Sequence, residues 1–351
     1  MKKTLLAVAL TAASMTAVAD MSVSGHVNYK AGFLEDFQSN GVDGAGNEDL
    51  TVGSAGTSES RFRILSSLEA NGLTYGSKIE LGLGEPGRAN ALNKRQNELY
   101  ISGAFGKVTL GQGSSAGDGA TENDFSGTYL TAGDLTSWEL GGSAAAADAS
   151  FAIDLDEDSA TFGTVQATDA VAATASLADN SSKDIGRVER LRYDAPTIGN
   201  LHLSASLNDA TANDEGNDFA IAATYKLPSF AFTVASVSAD ADDSDIVEAS
   251  IAGKMANFTA ALGFHTEENG GDDLEQTHVI LGYNPGPFSV SVDFQTTEVD
   301  GFSALDAETT GLNFVYRPTK GVELYAGARN AQAADGDIDE DAFLMGARVK
   351  F

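Results

Sequence analysis

Side chains able to do covalent chemistry are few and scattered in this chain. Cysteine is absent from its 351 residues, which excludes thiol nucleophiles, thiolate metal sites and disulfides. The four histidines, His26, His202, His265 and His278, fall in different segments, and none has a Gly-x-Ser-x-Gly elbow or comparable partner motif. No enzymatic role is expected. Acids are abundant: 51 aspartates and glutamates against 21 lysines and arginines, a formal charge of -30. Clusters such as Asp242, Asp243 and Asp245, or Asp335, Asp337, Asp339 and Asp341, could hold calcium or another hard divalent cation loosely through oxygen ligands. They lack the spacing of a calcium loop, so no dedicated metal site and no cofactor is expected. A rim of this charge concentrates cations and excludes a nucleic-acid partner, which needs basic surface.

The basic residues are ordered differently. Arg61 and Arg63, Lys78, Arg95, and Arg190 and Arg192 occupy the polar side of alternating segments, where strands would turn them to one wall. The alternation is plainest in FSVSVDFQ (288–295). Phe288, Val290, Val292 and Phe294 share one face, and Ser289, Ser291, Asp293 and Gln295 the other. LTYGSKIELGL from Leu73, LHLSASLN from Leu201, NFTAALGFH from Asn257 and the closing AFLMGARVKF obey the same rule. Roughly sixteen such segments are present, each about the length a tilted strand needs to cross a bilayer. Their connections alternate too. Tight turns such as Asn71-Gly72, Phe105-Gly106, Ala256-Asn257 and Pro285-Gly286-Pro287 take turns with longer acidic stretches such as DADDSD (240–245) and EENGGDDLE (267–275).

A soluble sandwich needs a second layer over its apolar faces, and no helical pattern or spare sheet supplies one. A wet polar wall and an uncovered apolar wall are both satisfied by closure. The expected fold is all-β, an antiparallel transmembrane β-barrel of about sixteen strands with lipid outside and an aqueous channel inside. MKKTLLAVALTAASMTAVAD reads as a secretory signal peptide over 1–19 with cleavage after Ala19, leaving a barrel domain over 20–351. Elsewhere no run of about 18 apolar residues suggests a spanning helix.

RQNELYISGAFGKVTLGQG (95–113) and RVERLRYDAPTIGNLHLSASL (187–207) resemble stretches of the Gram-negative general diffusion porins. Those proteins show a strand–Phe-Gly turn–strand unit, and later a strand ending in Tyr-x-x-Pro followed by a glycine and a new strand. The terminal Phe351 also matches, and the resemblance implies that it is read by the outer-membrane barrel assembly machinery. Taken over the whole chain, the resemblance implies a homotrimer in the outer membrane, with short periplasmic turns and long acidic extracellular loops. Its third loop would fold inward, and the segment 114–186 is the candidate. Two features depart from relatives: Gly111-Gln112-Gly113 stands where an arginine is frequent, and a Pro-Glu-Phe-Gly-Gly motif is absent from the long loop.

Porin constrictions oppose basic wall residues to loop carboxylates. The resemblance therefore assigns Arg61, Arg63, Lys78, Arg95, Arg190 and Arg192 to the basic wall, and Asp118, Glu122, Asp124 and Asp134 to the facing loop. Such a porin passes small hydrophilic solutes by passive diffusion, with a mild cation preference from its acidic mouth. A substrate-specific channel for sugars or oxyanions, guided by Arg190, Arg192 and Arg348, is the alternative. A barrel enzyme would need an oriented nucleophile, and a secreted adhesin a covered apolar face. Outer-membrane lipid and lipopolysaccharide would surround the barrel. Tyr193, Tyr225, Tyr283, Tyr316 and Phe288 suit interfacial girdles, whereas Trp138 has no place in this scheme.

Overall fold

Strands account for most of what the computed structural model describes, namely residues 20–35, 38–39, 42–43, 51–53, 60–83, 92–120, 125–131, 152–153, 165–166, 187–209, 217–239, 244–269, 272–300, 306–333 and 338–351. The expected leader lies outside these residues. The first strands are β1 (Asp20–Glu35), β2 in two successive pieces (Thr51–Gly53 and Ser60–Ala70), β3 (Leu73–Leu83), β4 (Leu92–Gly103) and β5 (Gly106–Ser114). Then come β6 (Arg187–Asp194), β7 (Leu201–Asp209), β8 (Asn217–Lys226), β9 (Phe230–Ala239), β10 (Ser244–Met255) and β11 (Phe258–Asn269). The last are β12 (Asp272–Tyr283), β13 (Phe288–Val299), β14 (Ala307–Thr319), β15 (Val322–Ala333) and β16 (Ile338–Lys350). The sheet has 17 paired segments, which make sixteen strands because β2 is split.

Each strand runs antiparallel to its sequence neighbour, and β1 pairs with both β2 and β16, so the sheet closes without an edge. Gly25 and Phe351 seal the seam with reciprocal backbone hydrogen bonds of 3.1 and 3.0 Å. At the start of the second piece of β2, the Ser60 hydroxyl engages both backbone groups of Asn28. It accepts the Asn28 N–H at 2.9 Å and donates to the Asn28 carbonyl at 3.1 Å. Asn71 and Gly72 both take positive φ, 56° and 75°, as a two-residue hairpin matched to strand twist requires.

Burial is inverted relative to a water-soluble sheet. On β13 the polar Ser289, Ser291, Asp293 and Gln295 are 2, 2, 0 and 5% exposed, while Phe288 and Phe294 are 42 and 46% exposed. Exposed apolar side chains recur around the whole outer wall, from Val23 and Leu99 to Leu281, Leu312 and Met345. Their favourable transfer, about 25 cal/mol per Å², can be realised only in hydrocarbon. No helix among the described residues is long and apolar enough to cross a membrane; the strands do the crossing. Tyrosines and phenylalanines gather beside the short turns, with Phe258–Tyr283 and Phe288–Tyr316 ring pairs at 4.8 Å, forming one interfacial girdle.

Candidate pore constriction

A few inward positions break the alternation with apolar residues, and each group has a cover. Ala220, Val237 and Ile246 on β8–β10 cluster with Ala116. Ala252, Ala261 and Ile280 on β10–β12 lie against Phe125. Val315, Tyr325 and Leu344 on β14–β16 cluster with Leu130. The described parts of segment 115–131, which follow β5, are thus laid along the inner wall on three apolar footholds.

Hydrogen bonds follow the same track. The Ala116 N–H donates to Ser206 Oγ on β7 at 2.9 Å, and Ser250 Oγ on β10 donates to the Ala120 carbonyl at 2.6 Å. Thr128 and Ser291 hydroxyls meet at 2.5 Å, and Arg317 on β14 donates both to Ser289 Oγ at 2.8 Å and to the Gly127 carbonyl. Gly127 has φ of 74°, and a Cβ there would come within 2.7 Å of Asn284 Oδ1 and Ser289 Oγ, so only glycine allows this approach.

The root of the segment is clasped by β6. Arg190 donates to the Ser114 carbonyl at 2.6 Å, to the Gly111 carbonyl at 2.5 Å and to Glu98 Oε1 at 2.8 Å. Arg192 donates to the Ser115 carbonyl at 2.6 Å and to Asp194 at 2.9 Å. Gly113 leaves room for the first of these, since an added Cβ would fall 1.9 Å from Glu98 Oε1 and 2.8 Å from the Arg190 guanidinium. A cation therefore does stand over Gly113, supplied by the neighbouring strand. Arg190 is only 5% exposed, so it differs from the water-facing wall residue expected; Arg192 is half-buried.

Arg61, Arg63 and Arg95 converge, and they do so on Glu80, which sequence reasoning left out. Arg63 bonds Glu80 through Nε at 2.7 Å and again through its terminal nitrogen; Arg95 Nε approaches at 3.1 Å and Arg61 at 3.9 Å. Glu80 is 2% exposed, whereas the Arg63 side chain is 38% exposed. Three guanidiniums on one carboxylate leave the sector positive. Lys78 faces the same wall in register with Glu98. A matching hub lies across β14–β16, where Glu323 receives Arg348 at 2.6 Å, Lys350 at 3.0 Å and Arg317 at 3.3 Å. The signal for both hubs was a lone acid on the polar face of a strand whose neighbours carry the cations. Glu80→Gln should move the zero-current potential in a salt gradient toward anions; an unchanged potential would remove this sector from the current path.

Of the four expected loop acids, Asp118 is half-buried, with its N–H donated to Ser115 Oγ at 3.1 Å. Glu122, Asp124 and Asp134 lie outside the described residues, as does Trp138. Among the described residues no group of three or more His, Cys, Asp or Glu side chains is placed to hold a metal ion.

Comparison with known proteins gives this geometry a family. The outer membrane porin protein 32 of Delftia acidovorans is 34% identical over 117 residues, 32% of this chain and 32% of that protein, so the aligned stretch is well under two thirds of the relative's length. Among solved structures, an anion-selective porin from Comamonas acidovorans superposes with a TM-score of 0.64 at 15% identity, covering 95% of this chain and 100% of that one. The trimer form of OmpT, an outer membrane protein of Vibrio cholerae, gives 0.62 at 12% identity, covering 95% and 100%. At these identities the likeness is one of fold. The family model described as Gram-negative porin matches residues 4–336, and with an outer wall that only lipid can cover, that match places the chain in the Gram-negative porin family of the outer membrane.

Proposed function

We propose that the protein is a water-filled channel for passive diffusion of small hydrophilic solutes and ions, with pore width and electric field as its whole mechanism. The inverted wall carries this reading: a polar, cation-bearing inner face and an apolar outer face on the same strands. The trimeric fold neighbour supports a homotrimer as the working unit. Phe351, its N–H bonded to the Gly25 carbonyl at the seam, is proposed as the assembly-machinery signal. Lipopolysaccharide is proposed to face the acidic rim, loosely bridged by divalent cations.

Ion preference is the finer question. The mild cation preference expected from a net charge of -30 draws no support from the described wall, where Arg61, Arg63 and Arg95 share a single carboxylate. A weak anion preference is favoured by that sector, and the Comamonas neighbour is described as anion-selective. Charges at a wide mouth are screened beyond about 8 Å at physiological salt, whereas wall charges border the ion path. The zero-current potential should therefore shift toward cations as salt is lowered and the acidic mouth gains reach. Swelling of protein-containing liposomes in sugars of increasing size tests the pore itself. A graded fall in rate with solute size is expected. Saturable transport of one sugar or oxyanion would instead favour a substrate-specific channel.

A further inference from the structure

Across the bore from the arginine sector, the inner wall carries the opposite charge. Half the circuit of a closed sixteen-stranded sheet separates β10 and β11 from β2 and β3. There His265 on β11 lies between two carboxylates. Its Nδ1 is 3.3 Å from Glu248 Oε1 on β10, and its Nε2 is 3.9 Å from Glu267 Oε2 on its own strand. His265, Glu248 and Glu267 point inward and are only 3, 2 and 9% exposed. Their depth matches that of the arginine hub. Glu80 stands seven residues past Leu73, the turn-side start of β3, and His265 seven past Phe258, the turn-side start of β11. With a common rise per residue, the two groups face each other at one level.

The trio also borders the inward segment. Further along the same inner faces, Ser250 holds the Ala120 carbonyl, and Ala252 and Ala261 lie against Phe125. The surrounding strands add little compensating charge. On β9 the residue in register with Glu248 is Ala235, and Glu267 stands between Ile246 on β10 and Leu274 on β12. Gln276 on β12 is in register with His265 and donates to Thr297 on β13. His278, next on that face of β12, covers Gly263, and Asp293 on β13 is engaged by Arg329 and Asn313. Among the described residues, His265 is thus the one side chain able to carry positive charge that bonds Glu248.

We propose that His265 is a specificity-determining residue of the channel. With its proton the trio presents one net negative charge to the bore; without it, two, and the ion preference moves toward cations. The trio titrates as a unit, so each proton lost adds one negative charge whichever atom releases it. Imidazole is the side chain that makes this change between about pH 5 and 8, while the guanidiniums opposite stay charged. A unit charge about 10 Å from the ion path, screened by salt, should change the cation-to-anion permeability ratio about twofold. The inference rests on the water-filled channel reading and adds the residue that tunes its ion preference.

The test is the zero-current potential of the full-length protein in planar bilayers under a fixed salt gradient, at about pH 5.5 and about pH 8. Each variant is read as its difference from wild type, so that titration elsewhere cancels. His265→Lys makes the positive charge permanent. It should match wild type at the lower pH and show a ratio about twofold lower, toward anions, at the higher. His265→Gln removes the charge. It should raise the ratio about twofold at the lower pH and change little at the higher. Glu248→Gln combined with His265→Gln leaves one carboxylate and no buried unpaired charge between them, and should repeat the lysine pattern. Swelling of liposomes in an uncharged sugar should stay at the wild-type rate in all three, which separates failure of this inference from failure of the channel reading. Differences that are absent, or that are the same at both pH values, would overturn it.

Discussion

Leu312→Arg should destabilise the barrel in phospholipid vesicles by about 2–4 kcal/mol, the cost of an arginine on the lipid face near the bilayer midplane. Leu312 is 55% exposed on β14, between Thr310 toward one rim and Tyr316 in the turn-side girdle. In a water-soluble protein a residue so exposed would accept arginine within about 0.5 kcal/mol. The two accounts of the outer wall thus differ severalfold at one position. Glu308→Lys, outward on the same strand but at its far end, should cost only about 0–1 kcal/mol. Urea titration of vesicle-embedded protein, followed by loss of β-sheet signal, reads both. Equal and negligible effects at the two sites would mean that water, not hydrocarbon, covers Leu312.

Arg190→Ala should be as costly for the opposite reason. The arginine and its partner Glu98 have side chains only 3 and 8% exposed, and all three bonding nitrogens of the guanidinium are engaged. Truncation leaves a buried carboxylate without its counter-charge, a loss of about 3–5 kcal/mol. It also releases the Gly111 and Ser114 carbonyls that fix the root of the inward segment. Stability and current noise should therefore worsen together. Arg190→Lys should recover only part of either, because an ammonium cannot match the three-way planar geometry. A variant that is stable yet noisy would restrict the clasp to positioning; one unchanged in both would show that the remaining holds, Arg192, Ser206, Ser250 and Arg317 among them, fix the segment without it.

The strand set was legible because a period of two survives wherever one face must be apolar and the other polar. FSVSVDFQ, LTYGSKIELGL and AFLMGARVKF each became a barrel strand, and Asn71-Gly72 a two-residue hairpin. Less could be read of the lumen. Val237, Ile246, Ile280 and Leu344 break the alternation on the wet face, and only the folded chain shows the inward segment that covers them. Arg61, Arg63 and Arg95 were placed on one wall by their spacing, but spacing along three strands cannot disclose that all three turn to Glu80. Arg190 shows the converse limit: its position on the polar face was plain, whereas its engagement with carbonyls from β5 depends on register between strands separated by the long loop. Where function lives in the lumen, the informative residues are those at odds with the pattern that builds the wall.

Lys78 and Ile79 are consecutive on β3 and point to opposite sides of the barrel, and the absence of native cysteine makes each a clean site for a single thiol. The most direct measurement is labelling of Lys78→Cys and Ile79→Cys in intact outer-membrane vesicles with a small charged, membrane-impermeant thiol reagent. The account predicts that the first reacts through a water-filled bore while the second, on the apolar outer wall away from water, stays silent. Rapid labelling at position 79, or none at 78, would contradict it.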